Sequence, residues 1–150
     1  MFEYTTCGLD GVCLVNGYRE YRYGDDVAVA IEDVDGLHRL IASEIISKRA
    51  PLTGPEFRFL RVEMDISQNN LAHLFGNSEQ TIAKWEKGQI KRIPQWADAV
   101  IRDIAKERLL DENAKLSALL DALAEVDNAQ NGVRSMRLQH NERWFVADAA

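Results

Sequence analysis

Cysteine, proline and histidine are scarce in this 150-residue chain, at two, three and three residues. Two cysteines, Cys7 and Cys13, cannot build a disulfide framework, so the fold must rest on a hydrophobic core, and in a reducing compartment both are expected as free thiols. No apolar run is long enough to span a bilayer. The start, "MFEYTTCGLDG", has neither the basic residues nor the apolar stretch of a secretory signal. A cytoplasmic location without a membrane partner is therefore expected. No Ser/His/Asp set and no carboxylate pair stands at a catalytic spacing, which speaks against an enzyme. His73 and His140 read as surface residues, and Trp96 and Trp144 as core or interface anchors. Neither an internal repeat nor a low-complexity tract is visible.

What is present is a globular composition, 46% hydrophobic and 28% charged, with a formal net charge of −6. That excess is uneven. Residues 1–47 hold 3 Lys/Arg against 9 Asp/Glu, residues 48–92 hold 8 against 5, and residues 93–150 hold 7 against 10. Only the middle third is basic. An acidic chain can thus carry a local positive surface, because binding depends on where charges lie and not on their sum.

The first third reads as strands. "VCLVNGYREYRYG" and "DDVAVAIED" are rich in Val, Ile and Tyr and are punctuated by Gly17 and Gly24, which predicts a small antiparallel sheet. Leu37, Leu40, Ile41 and Ile45 then fall at helical spacing, predicting a helix from about Gly36 to Lys48 that stops before Pro51. "TGPE", Thr53 to Glu56, has the spacing of a capping box and opens a helix with Phe57, Leu60 and Met64 on its buried stripe. Ser67 can cap the next helix, "QNNLAHLF". Pro94 opens another, with Ala97, Val100, Ile101 and Ile104 on one face. A further helix is expected from Asp111, its Leu116, Leu119, Leu120 and Leu123 stripe serving either the core or a dimer seam. "VRSMRLQHNERWFVA" predicts a terminal hairpin around "HNE". The expected class is α+β: a small strand-rich module with one helix over residues 1–50, a helical domain over 51–110, and a C-terminal helix and hairpin over 111–150.

The centre of the chain, "SQNNLAHLFGNSEQTIAKWEKG", carries the most specific pattern. Two helices crossing steeply over a short turn need a small residue inside the first, a glycine at the turn, and branched or aromatic anchors in the second. Ala72, Gly76, Ile82 and Trp85 stand at those points, with Leu71, Leu74 and Phe75 expected to complete the inner surface. Ser78, Glu79, Gln80, Thr81 and Lys84 fall on the outer side of the second helix, where a core gives no reason for short polar groups. The stretch resembles the helix-turn-helix of the Cro/repressor type, the Xre family, in its "SQ" start, its "TIAKWEKG" second helix and the preceding "FLR". The likeness covers roughly Leu52 to Ile104 and implies a five-helix domain of that type.

That resemblance implies duplex operator DNA as the partner. Carried over position by position, it makes Glu79 and Gln80 the residues facing base edges, with Lys84 one turn on and Ser78 near the groove wall. Gln can pair with adenine, Glu accepts from cytosine and Lys donates to guanine. Gln68, Thr81, Lys87, Lys91 and Arg92 would lie along the phosphate backbone. Arg61 and Glu86 match an arginine and a glutamate expected to form a buried, bidentate ion pair. Asn77 departs from the family, which has an apolar residue after the glycine; here it can cap the second helix.

The N-terminal part is similar, faintly, to MqsA-type antitoxins, in which a strand-rich zinc module with two C-x-x-C pairs precedes an Xre-like domain. Only Cys7 and His38 stand at comparable places, with Cys13 to be recruited from a strand, too few for a closed tetrahedral site. No metal and no other cofactor is expected. The implied function is a homodimeric, sequence-specific transcriptional repressor, such as the antitoxin of a type II toxin–antitoxin pair or a similar autoregulator, with a toxin protein as second partner. The alternative is a protein-binding adaptor that keeps the fold without reading DNA.

Overall fold

The structure, a computed structural model, describes residues 1–110 and 135–148. The elements run β1 (Phe2–Glu3), β2 (Val12–Leu14), β3 (Tyr18–Tyr23), β4 (Asp26–Ile31), α1 (Val34–Ser47), α2 (Gly54–Glu63), α3 (Gln68–Phe75), α4 (Glu79–Glu86), α5 (Gln95–Leu110), β5 (Met136–Asn141) and β6 (Arg143–Val146). The class is α+β, with five helices between the N-terminal and C-terminal strands. Among the described residues no helix is long and apolar enough to cross a membrane. The expected leucine-striped helix from Asp111 lies outside the described residues. The chain divides into two compact units, Met1–Leu40 with Val133–Ala150, and Ile41–Gly132.

In the first unit the strands make two sheets instead of the single antiparallel one expected. One is four-stranded, in the order β1-β2-β5-β6; the other is the β3–β4 hairpin alone. The terminal hairpin β5–β6 forms around Glu142, which takes a positive φ of 59°. It joins the N-terminal strands because β2 pairs with β5 in parallel, Val12 opposite Met136 and Leu14 opposite Leu138. Partners 124 positions apart leave no mark on local periodicity, which is why the parallel pair was not legible. Tyr4, Leu9, Val12, Leu14, Leu37, Leu138 and Trp144 are the buried apolar residues of this unit.

The β3–β4 hairpin turns at Gly24 and Asp25. Gly24 has φ 62° while Asp25 stays at negative φ, the pattern of a type II′ turn with glycine first. The hairpin is fixed at its base. The Glu32 amide donates to the Gly17 carbonyl at 2.9 Å, and the Trp144 indole N–H is shared between the carbonyls of Glu32 and Asp33 at 2.9 and 3.0 Å. Gly17, at φ 77°, could not carry a Cβ, since that atom would stand 2.5 Å from the Trp144 ring. At the other end of this unit's first strand, the Tyr4 hydroxyl lies 2.7 Å from His38 Nε2, and the Cys7 thiol donates to the Tyr4 carbonyl at 3.4 Å. Among the described residues no group of three or more His, Cys, Asp or Glu is placed to hold a metal ion.

The described part of the second unit is helical. The capping box at α2 is complete: the Glu56 amide donates to Thr53 Oγ1 and the Thr53 amide to Glu56 Oε1, the latter at 2.8 Å. Gly54 begins α2 against the end of α4; a Cβ there would lie 2.5 Å from the Trp85 carbonyl oxygen and 2.6 Å from that of Glu86, so no larger residue fits without moving backbone. Buried Arg102 of α5 ties down the chain leaving α1. Its guanidinium donates to the carbonyls of Ile46, Lys48 and Ala50, with Ala50 at 2.8 Å, and to Asp98, whose second oxygen accepts from the Leu52 amide at 2.7 Å. Four backbone groups of residues 46–52 are thereby satisfied by one charged pair. The sequence offered only the i, i+4 spacing of Asp98 and Arg102; the tie itself was not legible, because the carbonyls Arg102 holds are more than 50 positions away.

Candidate nucleic-acid interface

The two helices of the central motif are set by their ends. Ser67 caps α3, its Oγ accepting from the Asn70 amide at 3.0 Å. At the other end Gly76 takes the left-handed conformation, φ 66° and ψ 32°, while the Asn77 amide reaches back to the Ala72 carbonyl at 2.9 Å and the Gly76 amide to that of His73. These are the two bonds of a Schellman closure. Ser78 then caps α4, its Oγ accepting from the Thr81 amide at 3.2 Å and lying 2.9 Å from Thr81 Oγ1. Three residues therefore suffice to end one helix and begin the next.

Two expectations need correction here. Leu74 is not part of the inner surface; it is 65% exposed. The inward arc of α3 runs through Leu71, Phe75 and Ala72, and at about 100° per residue Leu74 falls roughly 60° beyond its Leu71 edge. Nor does Asn77 cap α4, a role that Ser78 holds; the Asn77 amide side chain instead donates to the Phe75 carbonyl at 3.2 Å, satisfying an orphan acceptor at the end of α3.

Packing fixes which side of α4 faces out. Ile82, Trp85 and Glu86 are buried. Trp85 meets Phe57 of α2 edge-on at 5.8 Å and Trp96 of α5 at 6.2 Å, and Trp96 meets Phe75 of α3 at 5.3 Å, so four aromatic rings join four helices. Trp96 does this while remaining half exposed. On the opposite side Glu79, Gln80 and Lys84 are exposed. Among the described residues none of these three side chains has a hydrogen-bond or ion-pair partner. Gln80 and Lys84, four apart, lie one above the other on the helix surface. Lys87, Lys91 and Arg92 are likewise exposed, continuing from the end of α4 into the following loop.

Beneath α4 lies a charge cluster. Arg61 Nε donates to Glu86 Oε2 at 2.7 Å and Arg61 Nη2 to Glu86 Oε1 at 2.9 Å, while Nη1 donates to the Ile66 carbonyl at 2.8 Å. Both side chains are at most a tenth exposed. Gln68, the first residue of α3, donates from Nε2 to Glu86 Oε1 at 3.2 Å, which leaves its second amide hydrogen for another acceptor. Arg58 stands 3.9 Å from the same carboxylate, with more than half of its side chain exposed. It was missed in the sequence; three residues before Arg61 on one helix, it shares that face, and this spacing was the signal available. Glu86 thus gathers Arg61, Gln68 and Arg58 at the start of α3.

Compared with known families, the chain matches the helix-turn-helix family model over residues 57–95. No curated protein and no solved structure matches it.

Proposed function

We propose that this protein is a transcription regulator that reads duplex DNA with α4. The observation that carries the reading is the division of that helix: Ile82, Trp85 and Glu86 are locked inside, while Glu79, Gln80 and Lys84 face out unpartnered. A rigid helix that presents free donors and acceptors suits base edges in a major groove. Ser78, though occupied as a cap, lies at the groove-facing end, and Thr81 supports it from the same turn. Lys87, Lys91 and Arg92, with Gln68 and Arg58 at the start of α3, supply backbone contacts. The match over residues 57–95 supports this reading.

One such helix touches too few base pairs to be selective, so the active form is a homodimer on a palindromic operator, with recognition helices roughly 34 Å apart. A repressor acting on its own operon, including an antitoxin paired with a toxin, fits this arrangement. Under the alternative, a protein-binding adaptor, the same exposed side chains would meet a protein surface and duplex DNA would not be bound selectively.

The two kinds of contact separate experimentally. Gln80→Ala should change which base is preferred at one position, at a cost of about 1 to 3 kcal/mol on the best site. Lys91→Ala should weaken all sequences alike and lower the salt slope by about one unit. Titrations of cognate and random duplexes over a range of salt, with footprinting and sedimentation to define site and stoichiometry, check both. Equal losses on both duplexes for both variants, or a monomer protecting no discrete site, would remove the reading.

A further inference from the structure

The β3–β4 hairpin is a two-stranded sheet whose outer edges are both unpaired, and the chemistry of the β4 edge is specific. Glu32 donates to Gly17 across the base, and the register places Tyr18 opposite Ile31 and Tyr23 opposite Asp26. Bonded and non-bonded pairs alternate in an antiparallel ladder, so the inward-bonded residues of β4 are Asp26, Ala28 and Ala30. The amides and carbonyls of Val27, Val29 and Ile31 therefore point away from β3. No other strand pairs with β4, and among the described residues these groups have no hydrogen-bond partner. Val27 to Ile31 contains no charge, proline or bulge, the devices that normally blunt an exposed edge, and Val27 is 55% exposed.

We propose that this edge receives an added strand from a partner protein, an extended apolar segment flanked at both ends by lysine or arginine. The occupant follows from charge. The edge is bracketed by Asp25 and Asp26 at the turn and by Glu32 and Asp33 at the base, and the described residues of this unit hold 10 Asp/Glu against 5 Lys/Arg. A second copy fits poorly. Antiparallel self-pairing in full overlap centres on Val29 and sets Asp26 opposite Glu32 at both ends, and like charges directly opposite are destabilising. A basic-flanked strand meets the same brackets with opposite sign, while its backbone pairs with Val27, Val29 and Ile31 and its alternate side chains cover theirs. This proposal does not rest on DNA reading by α4, which uses other residues.

The test uses the full chain and a synthetic peptide of alternating valine and threonine between two pairs of lysines, with a glutamate-flanked peptide as control. Amide hydrogen exchange should slow at Val27, Val29 and Ile31 on adding the lysine-flanked peptide, and the control should bind at least about tenfold more weakly. Val29→Pro removes an edge amide that the hairpin does not use, so Ala28 and Ala30 should stay protected while peptide binding is lost. Absence of binding, equal affinity for the two peptides, or binding retained in Val29→Pro would overturn the proposal. So would protection of the edge that grows with protein concentration in the absence of peptide, which would assign it to a second copy.

Discussion

Glu86→Ala should cost the helical unit about 3 to 5 kcal/mol, because it strands the Arg61 guanidinium in a buried site with one carbonyl as its remaining protein partner. Arg61 Nε and Nη2 lose their acceptors together, and Gln68 loses its own. Arg58 cannot compensate, being a second cation at the same place. Urea unfolding of the variant measures the loss. Affinity for DNA should fall with it although Glu86 faces inward, since the residue lies in the last turn of α4 and holds that helix against α2. The companion experiment replaces both partners, Arg61→Met with Glu86→Leu. A buried ion pair repays little beyond its own desolvation, so the double variant should recover most of the stability lost in either single one. A coupling energy near zero in that cycle would show the pair to be as inert as an exposed one, worth about 0 to 1 kcal/mol.

Arg102→Met should be comparably damaging, at about 3 to 5 kcal/mol, for a different reason. Methionine preserves the aliphatic packing but deserts the carbonyls of Ile46, Lys48 and Ala50 and leaves the Asp98 carboxylate largely buried without its cation. Asp98→Asn should cost less, because the guanidinium keeps its backbone acceptors and the amide oxygen can still receive the Leu52 N–H. Denaturant midpoints for the two variants check the order. A larger loss for Asp98→Asn would mean that the carboxylate, and not the backbone tie, dominates the site.

The contrast between these two arginines shows what the sequence discloses. Arg61 and Glu86 were paired in advance because the resemblance to the Xre-type helix-turn-helix implies such a pair, and the structure holds the two groups within hydrogen-bonding distance. Helix ends were legible for a different reason: Thr53 with Glu56, Ser67 and Gly76 act on groups no more than five residues away, so their chemistry is written locally. Arg102, the parallel pairing of β2 with β5 and the exposure of Leu74 depend on partners or geometry beyond that range. Leu74 is instructive. Hydrophobicity suggested an inward place, but a two-turn helix buries only a narrow arc, and a side chain beyond it stays in solvent whatever its polarity. Asn77 failed similarly; its neighbour Ser78 was the better-placed cap, and one helix end needs only one.

The tie between Arg102 and the chain after α1 also bears on how the protein meets a protease. Lys48 and Arg49 sit in an irregular stretch, and trypsin would cut there in an unstructured chain. A protease must draw several consecutive residues into its cleft in extended form, with their backbone groups free to pair with the enzyme. Here the carbonyls on either side of Arg49 are held by one guanidinium and the Leu52 amide by Asp98. Digestion at this point therefore requires local unfolding first, and its rate reports how often Arg102 lets go. In wild-type protein this loop should resist trypsin, while Arg102→Met should speed cleavage after Lys48 and Arg49.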